Sequence, residues 1–115
     1  MTFRTDIEEA VKDITDIQGV VLGKNDYYTY SDDVDPANDL IGKLLKWDDV
    51  KDKLDYEYDS SYGSAECNAL YIWTSDRVYL VHEYDGSTCI VWVPRHPDQS
   101  RLPEYGGICP DESED

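Results

Sequence analysis

Apart from carboxylates and hydroxyls, the chain has two histidines and three cysteines with which to catalyse a reaction or bind a transition metal. Two of these, His82 and Cys89, fall in neighbouring apolar runs that predict paired strands, and that pairing would place them opposite each other. Such a pair can act as nucleophile and base or supply two zinc ligands. Because both lie mid-strand on an apolar face without an obvious third group, we expect a packed pair with no catalytic or metal-binding role.

The three cysteines, Cys67, Cys89 and Cys109, are far apart and lack the C-x-x-C spacing of zinc and redox motifs. Free cysteine behaves as a small hydrophobic residue, and cytosolic thiols stay reduced. We therefore expect Cys67 and Cys89 to be buried free thiols.

The acidic run over residues 32–39 invites comparison with a calcium-binding EF-hand loop. Counted from Asp33, the sixth position holds Asn38 where the loop needs glycine, and the twelfth holds Leu44 where it needs a bidentate glutamate. Capping of a helix by Asp35 explains the pattern without a cation. The sequence therefore predicts no metal site here.

Motifs for other reactions are missing. The sequence has no glycine-rich phosphate loop, no serine nucleophile elbow and no histidine-rich ligand spacing. Carboxylates are so numerous that a pair of them does not identify an acid and a base. We expect a protein that is not an enzyme and has no cofactor.

Net charge is the most unusual property of the composition. Twenty-six acidic residues outnumber ten basic ones, which leaves a formal charge of -16 on 115 residues, whereas a magnitude of about 2–8 suffices to keep a small domain soluble. Residues 26–59 hold eleven acids and four bases, and residues 98–115 hold six acids and one base. Such a chain is repelled by nucleic acid and anionic membranes and attracted to basic surfaces.

Targeting signals are also missing from the sequence. The N-terminal residues contain no apolar core of a secretory signal, and no apolar run approaches the ~20 residues of a membrane span. We expect a cytoplasmic protein that does not enter a membrane.

Two helices are predicted from their start signals and apolar spacing. Thr5 and Glu8 have the spacing of a capping box, and apolar residues at helical intervals follow, which predicts a helix over residues 6–16. Asp35 and Pro36 predict a second helix start, followed by an apolar stripe of Leu40, Ile41, Leu44, Leu45 and Trp47. Asp48 is expected to cap one or two further turns.

Five strand-like runs complete the pattern. Residues 19–24 and 26–30 predict two short strands, and residues 67–74, 77–84 and 87–94 predict an antiparallel meander whose second turn, Asp85 and Gly86, is typical of a type I′ hairpin. With two-residue turns, both faces of the meander are apolar, whereas a sheet with one wet face alternates apolar and polar residues. We expect helices to cover both faces, although a partner on one face, including a second copy in a homodimer, is the alternative.

These elements predict an α+β fold: an antiparallel sheet, made of the three-strand meander plus one or two N-terminal strands, packed with two or three α-helices. We expect residues 1–97 to form a single α+β domain. Residues 98–115 would form an extended C-terminal segment with an acidic tail.

The acidic middle of the chain is the candidate site of partner binding. Tyrosines there alternate with carboxylates, and tyrosine gives a large contact area at low entropic cost. Arginine of a basic partner can pair with the acid and stack on the ring. The predicted partner-binding residues are Asp32, Asp33, Asp48, Asp49, Asp52, Asp55, Tyr56, Glu57, Tyr58 and Asp59.

The leading hypothesis is a folded acidic inhibitor that presents carboxylates where the phosphates of a nucleic acid would lie, and so blocks a basic, nucleic-acid-binding protein. In size and charge the chain resembles phage anti-defence proteins (anti-CRISPR or anti-restriction inhibitors) and bacterial immunity proteins that neutralise basic nucleases; no motif carries the resemblance. Two alternatives remain. One is adaptation of an unrelated domain to high salt, and the other is an interaction protein acting through its apolar sheet face.

Overall fold

The fold is built on one five-stranded antiparallel sheet. A computed structural model describes residues 2–30, 32–60, 65–84 and 87–110 of the chain, with the Tyr30 side chain excepted. The strands lie in the order β2-β1-β3-β4-β5. Their bounds are Gly19–Asn25 (β1), Leu44–Leu45 (β2), Asn68–Trp73 (β3), Arg77–Tyr84 (β4) and Ser87–Pro94 (β5). With helices α1 (Phe3–Val11) and α2 (Trp47–Val50), the predicted α+β class is confirmed.

The predicted meander is β3, β4 and β5. After the Trp73–Val78 pair, the Thr74 amide donates to the Arg77 carbonyl at 2.9 Å, and Tyr84 pairs with Ser87 at the second turn, so two residues lie between the last paired positions at each turn, as expected. Residues 85 and 86 themselves, and therefore the predicted turn type, lie outside the described residues. Strand β1 adds to the sheet beside β3, as the N-terminal apolar run predicts.

One face of the sheet forms the core. Its strand residues are buried together with Phe3 and Ile7 of α1 and with Val50 and Leu54 near α2. The strand residues on this core face include Val20, Leu22, Leu70, Ile72, Tyr79, Ile90 and Trp92.

The opposite face, here called the outer face, is open over most of its extent. Tyr71 is 52 % exposed, Leu44 75 % and Val93 39 %, although alternation along the strands makes this face as apolar as the core face. The expectation that helices cover both sides is therefore wrong within the described residues. The outer-face positions are Gly19, Val21, Gly23, Leu44, Ala69, Tyr71, Trp73, Val78, Leu80, His82, Tyr84, Ser87, Cys89, Val91 and Val93.

Helix α1 begins earlier than the capping signal at Thr5 predicts. Its N-cap is Thr2, whose hydroxyl accepts a hydrogen bond from the Thr5 amide at 3.1 Å, while the Thr5 hydroxyl accepts one from the Thr2 amide at 3.0 Å. The earlier start buries Phe3 in the core. The helix ends at Val11, and a short 3₁₀ turn over Ile14–Asp16 follows it.

Two elements predicted in the middle of the chain are wrong. Residues Asp26–Tyr30 form a 3₁₀ turn, since the β1–β3 register shifts between Leu22 and Asn25 and pairing stops there. The helix expected from Asp35 and Pro36 is replaced by a 3₁₀ turn over Asn38–Leu40 and by strand β2. Pairing of β2 with β1 takes precedence over the local helix signal.

Helix α2 has Lys46 as its N-cap, not Asp48, and a 3₁₀ turn over Lys51–Leu54 continues it.

The C-terminal segment packs beside β5. Ile108 and Trp92 exchange two backbone hydrogen bonds of 2.8 Å, and Ile108 is buried in the core although it lies beyond residue 97. Gly106 and Gly107 adopt φ angles of 76° and 98° and contact the outer face so closely that a Cβ atom would lie 2.6 Å from the His82 ring and 2.7 Å from the Val91 side chain. Glycine is the residue that such angles and contacts favour. The acidic tail predicted at residues 111–115 lies outside the described residues.

Candidate interaction surface

Charge is divided sharply between the sheet and the rest of the chain. The five strands contain Lys24 and Arg77 against one acid, Glu83, so they carry a formal charge of +1 and the remaining residues of the chain carry -17. None of the outer-face positions listed above is Asp, Glu, Lys or Arg. The helices, turns and loops therefore present the carboxylates.

Four of the predicted residues lie together along α2 and the 3₁₀ turn that follows it. We call Asp48, Asp49, Asp52 and Asp55 the acidic ridge; all four are exposed. The side chains of Asp48 and Asp52 are 84 % and 85 % accessible. Carboxylates in this position can meet a partner without any rearrangement of the fold.

Basic residues hold part of the ridge in place. The Arg4 guanidinium lies 3.2 Å from an Asp52 carboxylate oxygen and 3.8 Å from one of Asp55, and the Lys51 ammonium lies 3.2 Å from Asp48. A hydrogen bond to Glu8, followed by the charges of Asp55 and Asp52, raises the pKa of Arg4, so this residue stays a cation. Exposed ion pairs contribute about 0–1 kcal/mol each, so a partner's cations can compete with these contacts.

Tyr56 belongs to a buried network. Its hydroxyl donates to Asn68 Oδ1 at 2.8 Å and accepts from the Asn68 amide at 2.9 Å. The Asn68 side chain donates in turn to the Gly23 carbonyl and to an Asp35 carboxylate oxygen, each at 3.0 Å. Burial raises the pKa of Tyr56. Through Asn68, this network joins four segments of the chain.

Tyr58 contacts the first helix. Its hydroxyl donates to an Asp6 carboxylate oxygen at 2.6 Å, and its ring centroid lies 5.2 Å from that of Phe3. Burial, and after it the hydrogen bond to Asp6, raises the pKa of Tyr58. Tyr56 and Tyr58 are both half-buried, so each presents only part of its ring to a partner.

The other predicted residues flank these two tyrosines or lie at a different place. Glu57 and Asp59 are exposed; Glu57 forms an isolated bridge with Thr2, and the Asp59 amide donates to Glu66. Asp32 and Asp33 are exposed in the loop before Asp35. The charges of Asp35 and Asp33 contribute, after burial, to the raised pKa of Tyr28. The structure thus divides the predicted residues between the ridge, the loop beside α1 and the loop before Asp35.

Sequence reasoning missed the contribution of α1 to this surface. Glu8 joins the ridge through Arg4, and Asp6 binds Tyr58. The spacing of Arg4 and Glu8 at i and i+4 was the available signal. Conversely, Asp35 is buried, where its carboxylate accepts from the Ala37 amide at 2.8 Å and from Asn68, so it supports the fold.

The cysteines differ from one another. Cys67 is buried, as predicted, and burial raises the pKa of its thiol to about 12. Cys89 is exposed, so the expectation of a second buried thiol is wrong. It lies opposite His82 on the outer face, as the register predicts, but His82 is exposed too, so the expected packed pair is also wrong. Within the described residues, no three His, Cys, Asp or Glu side chains are grouped to hold a metal ion.

The longest described helix has nine residues, and no helix in the described part of the chain combines the length and apolar content that crossing a bilayer requires. Compared with known protein families, with curated proteins and with solved structures, the chain shows no significant match to any of them. Fold and surface define its class: an α+β protein with a nearly neutral sheet, whose carboxylates lie almost entirely outside the strands.

Proposed function

We propose that the protein is a small acidic inhibitor that imitates nucleic acid and occupies the basic surface of a nucleic-acid-binding protein. Inhibition of the phage anti-defence type, directed against CRISPR or restriction enzymes in the host cytoplasm, fits this chemistry best. Separation of charge carries the proposal: the strands are +1, the rest of the chain is -17, and the ridge carboxylates are exposed.

Spacing on the acidic ridge supports the imitation of a phosphate backbone. From Asp48 to Asp55 the chain advances seven residues, or roughly 10–14 Å at 1.5–2.0 Å per residue. Four carboxylates define three intervals over that length, an average axial spacing of roughly 3.5–4.7 Å, comparable to the ~3.4 Å between the phosphates of one DNA strand. Lys51 and Lys53 lie within the same segment, and a partner's arginines would displace the first of them from Asp48.

Binding by this route follows from elementary electrostatics. Carboxylates held on a folded surface need no ordering when they meet a cationic channel, and their attraction to it raises the association rate. Arginine of the target can form two parallel hydrogen bonds to one carboxylate. We expect the protein to compete with DNA or RNA for the target and to bind neither nucleic acid itself.

Charge reversal tests the ridge. The double variant Asp48→Lys, Asp49→Lys should weaken binding to a target captured from host lysate at low salt by about 10-fold or more, since it removes two contacts of 1–3 kcal/mol at a complementary surface. The matched control is Asp76→Lys, Glu104→Lys, which makes the same change in net charge at exposed positions away from the ridge. Equal weakening by both pairs would show that only overall charge matters and would refute the ridge as the docking surface.

Salt separates this proposal from adaptation to high salt. An inhibitor of this kind should stay folded at low ionic strength, as monitored by circular dichroism, and should bind its target more tightly there. Duplex DNA added to the captured complex should release the protein. Unfolding on dilution into low salt would instead favour a halophilic domain.

A further inference from the structure

The outer face exposes large apolar side chains on a highly charged protein. Tyr71 and Trp73 stack edge to face there with ring centroids 5.7 Å apart, and Leu44 and Val93 on the same face are 75 % and 39 % exposed. Among described residues outside the sheet, Gly106 and Gly107 contact this face near His82 and Val91. Extended exposed apolar patches mark interaction sites.

We propose that the outer face is the interface of a two-fold symmetric dimer, in which a second copy of the chain packs sheet against sheet. This inference goes beyond the proposed inhibition and uses none of the acidic-ridge residues. In such a dimer each copy contributes the same surface, so an apolar patch meets its own equivalent.

The absence of charged residues on the outer face favours a second copy of the chain as the molecule that binds there. A basic partner would find no carboxylate on the outer face, and a partner with an ionised side chain there would have to bury it unpaired, which is costly. A second copy brings an equally uncharged face. Contact between two copies through their helices or loops would instead oppose carboxylates, so the outer face is where the two can meet without like-charge repulsion at the interface.

Repulsion between the acidic layers of the two copies is weak in this arrangement. Face-to-face sheets lie ~10 Å apart, and with each helix layer about the same distance beyond its own sheet, the two acidic layers are roughly 30 Å from each other. That separation exceeds three Debye lengths of ~8 Å at 0.15 M ionic strength. Salt added beyond 0.15 M should therefore change the dimer little, whereas it should weaken binding of the ridge to a basic target.

The area of the outer face determines how tightly two copies are expected to bind. Strands spaced ~4.8 Å apart and up to eight residues long at ~3.3 Å each cover roughly 400–500 Å² in projection. Two copies would together bury roughly 800–1,000 Å², which is below the ~1,200–2,000 Å² of standard specific interfaces and in the range of weak, transient ones. We expect a Kd of roughly tens of micromolar, weaker than the micromolar limit of standard-size interfaces.

Sedimentation equilibrium of the full chain tests the proposal. Wild type should approach twice its 13.2 kDa mass at roughly 0.1–1 mM, above the expected Kd, and to a similar extent in 0.15 M and 0.5 M salt. Leu44→Glu and Tyr71→Glu should each weaken dimerisation by about 100-fold or more, because a two-fold interface buries the new carboxylate twice. Matched controls are Leu102→Glu and Val34→Glu, which are 82 % and 73 % exposed outside the sheet.

Two results would overturn the proposal: a wild-type protein that stays monomeric at these concentrations in both salts, or a dimer that the outer-face and control variants weaken equally. A second measurement needs no variant: acrylamide quenching of tryptophan fluorescence is followed while the wild-type protein is diluted. Trp73 is half-buried on the outer face, whereas Trp47 and Trp92 are buried, so dissociation should increase quenching; constant quenching across the dilution range would also refute the dimer. Failure here leaves the ridge variants, and thus the proposed inhibition, unaffected.

Discussion

Replacement of Tyr56 by phenylalanine should destabilise the fold strongly for so small a change. The single hydroxyl donates to Asn68 Oδ1 and accepts from the Asn68 amide, and Asn68 is 0 % exposed. Without the hydroxyl, neither group gains access to water. The Asn68 side-chain amide would keep its bonds to Gly23 and Asp35.

The magnitude follows from two buried groups that lose their partner. Each unsatisfied buried donor or acceptor costs about 1–3 kcal/mol, and the phenyl ring still fills the space, so no large cavity contributes. We expect a loss of about 2–4 kcal/mol in the free energy of unfolding, a large fraction of the 5–15 kcal/mol typical of a domain. Tyr58→Phe should lose less, about 0.5–1.5 kcal/mol, since it breaks one hydrogen bond at a half-buried site.

Urea denaturation monitored by circular dichroism measures this difference. The midpoint should fall while the slope m stays constant, because the surface exposed on unfolding is unchanged. Tyr105→Phe is the matched control, since Tyr105 is 106 % exposed, and it should leave the midpoint where it is. A Tyr56→Phe protein within about 0.5 kcal/mol of wild type, the spread of ordinary surface substitutions, would refute the role assigned to the network.

Two further predictions concern pH and the C-terminal segment. The native pKa of Cys67 is raised to about 12, so the folded state favours the neutral thiol more than the unfolded state does. This contribution to the free energy of unfolding is complete below the unfolded pKa of about 8.5 and is lost as pH rises through 12. Urea midpoints should therefore fall between pH 9 and 12, and less steeply in Cys67→Ala. No difference in slope between the two proteins would contradict the assignment. Ile108→Ala should lower the free energy of unfolding by about 2–5 kcal/mol, as for other buried side chains, whereas the exposed Leu102→Ala should change it little; equal effects in calorimetry would show that the segment is not part of the core.

The meander was predicted well because the residues that determine it are close together in the chain. Asp85 and Gly86 suit a tight turn, β-branched and aromatic residues surround them, and the register then follows from the alternation of side chains. The same reasoning predicted the ridge carboxylates, since a segment dense in acids must expose most of them. It could not show that Tyr56 is committed to Asn68, a residue twelve positions away.

The middle of the chain shows where local signals fail. Asp35 and Pro36 have the propensities of a helix start, but Asp35 is needed as an acceptor for the buried Asn68, and residues 44 and 45 pair with β1. Long-range pairing and the satisfaction of buried polar groups outweigh propensities of about 1 kcal/mol per residue or less.

Composition and order of residues alone therefore determined the α+β class, the meander and the excess of negative charge, because each depends on residue type or on neighbours in the chain. The tertiary structure alone decided that the described helices cover one face of the sheet, that Ile108 returns to the core, and that the outer face is uncharged while the part of the chain outside the strands holds -17. Those properties depend on which distant segments pack together, and packing is set by contacts that no local pattern encodes.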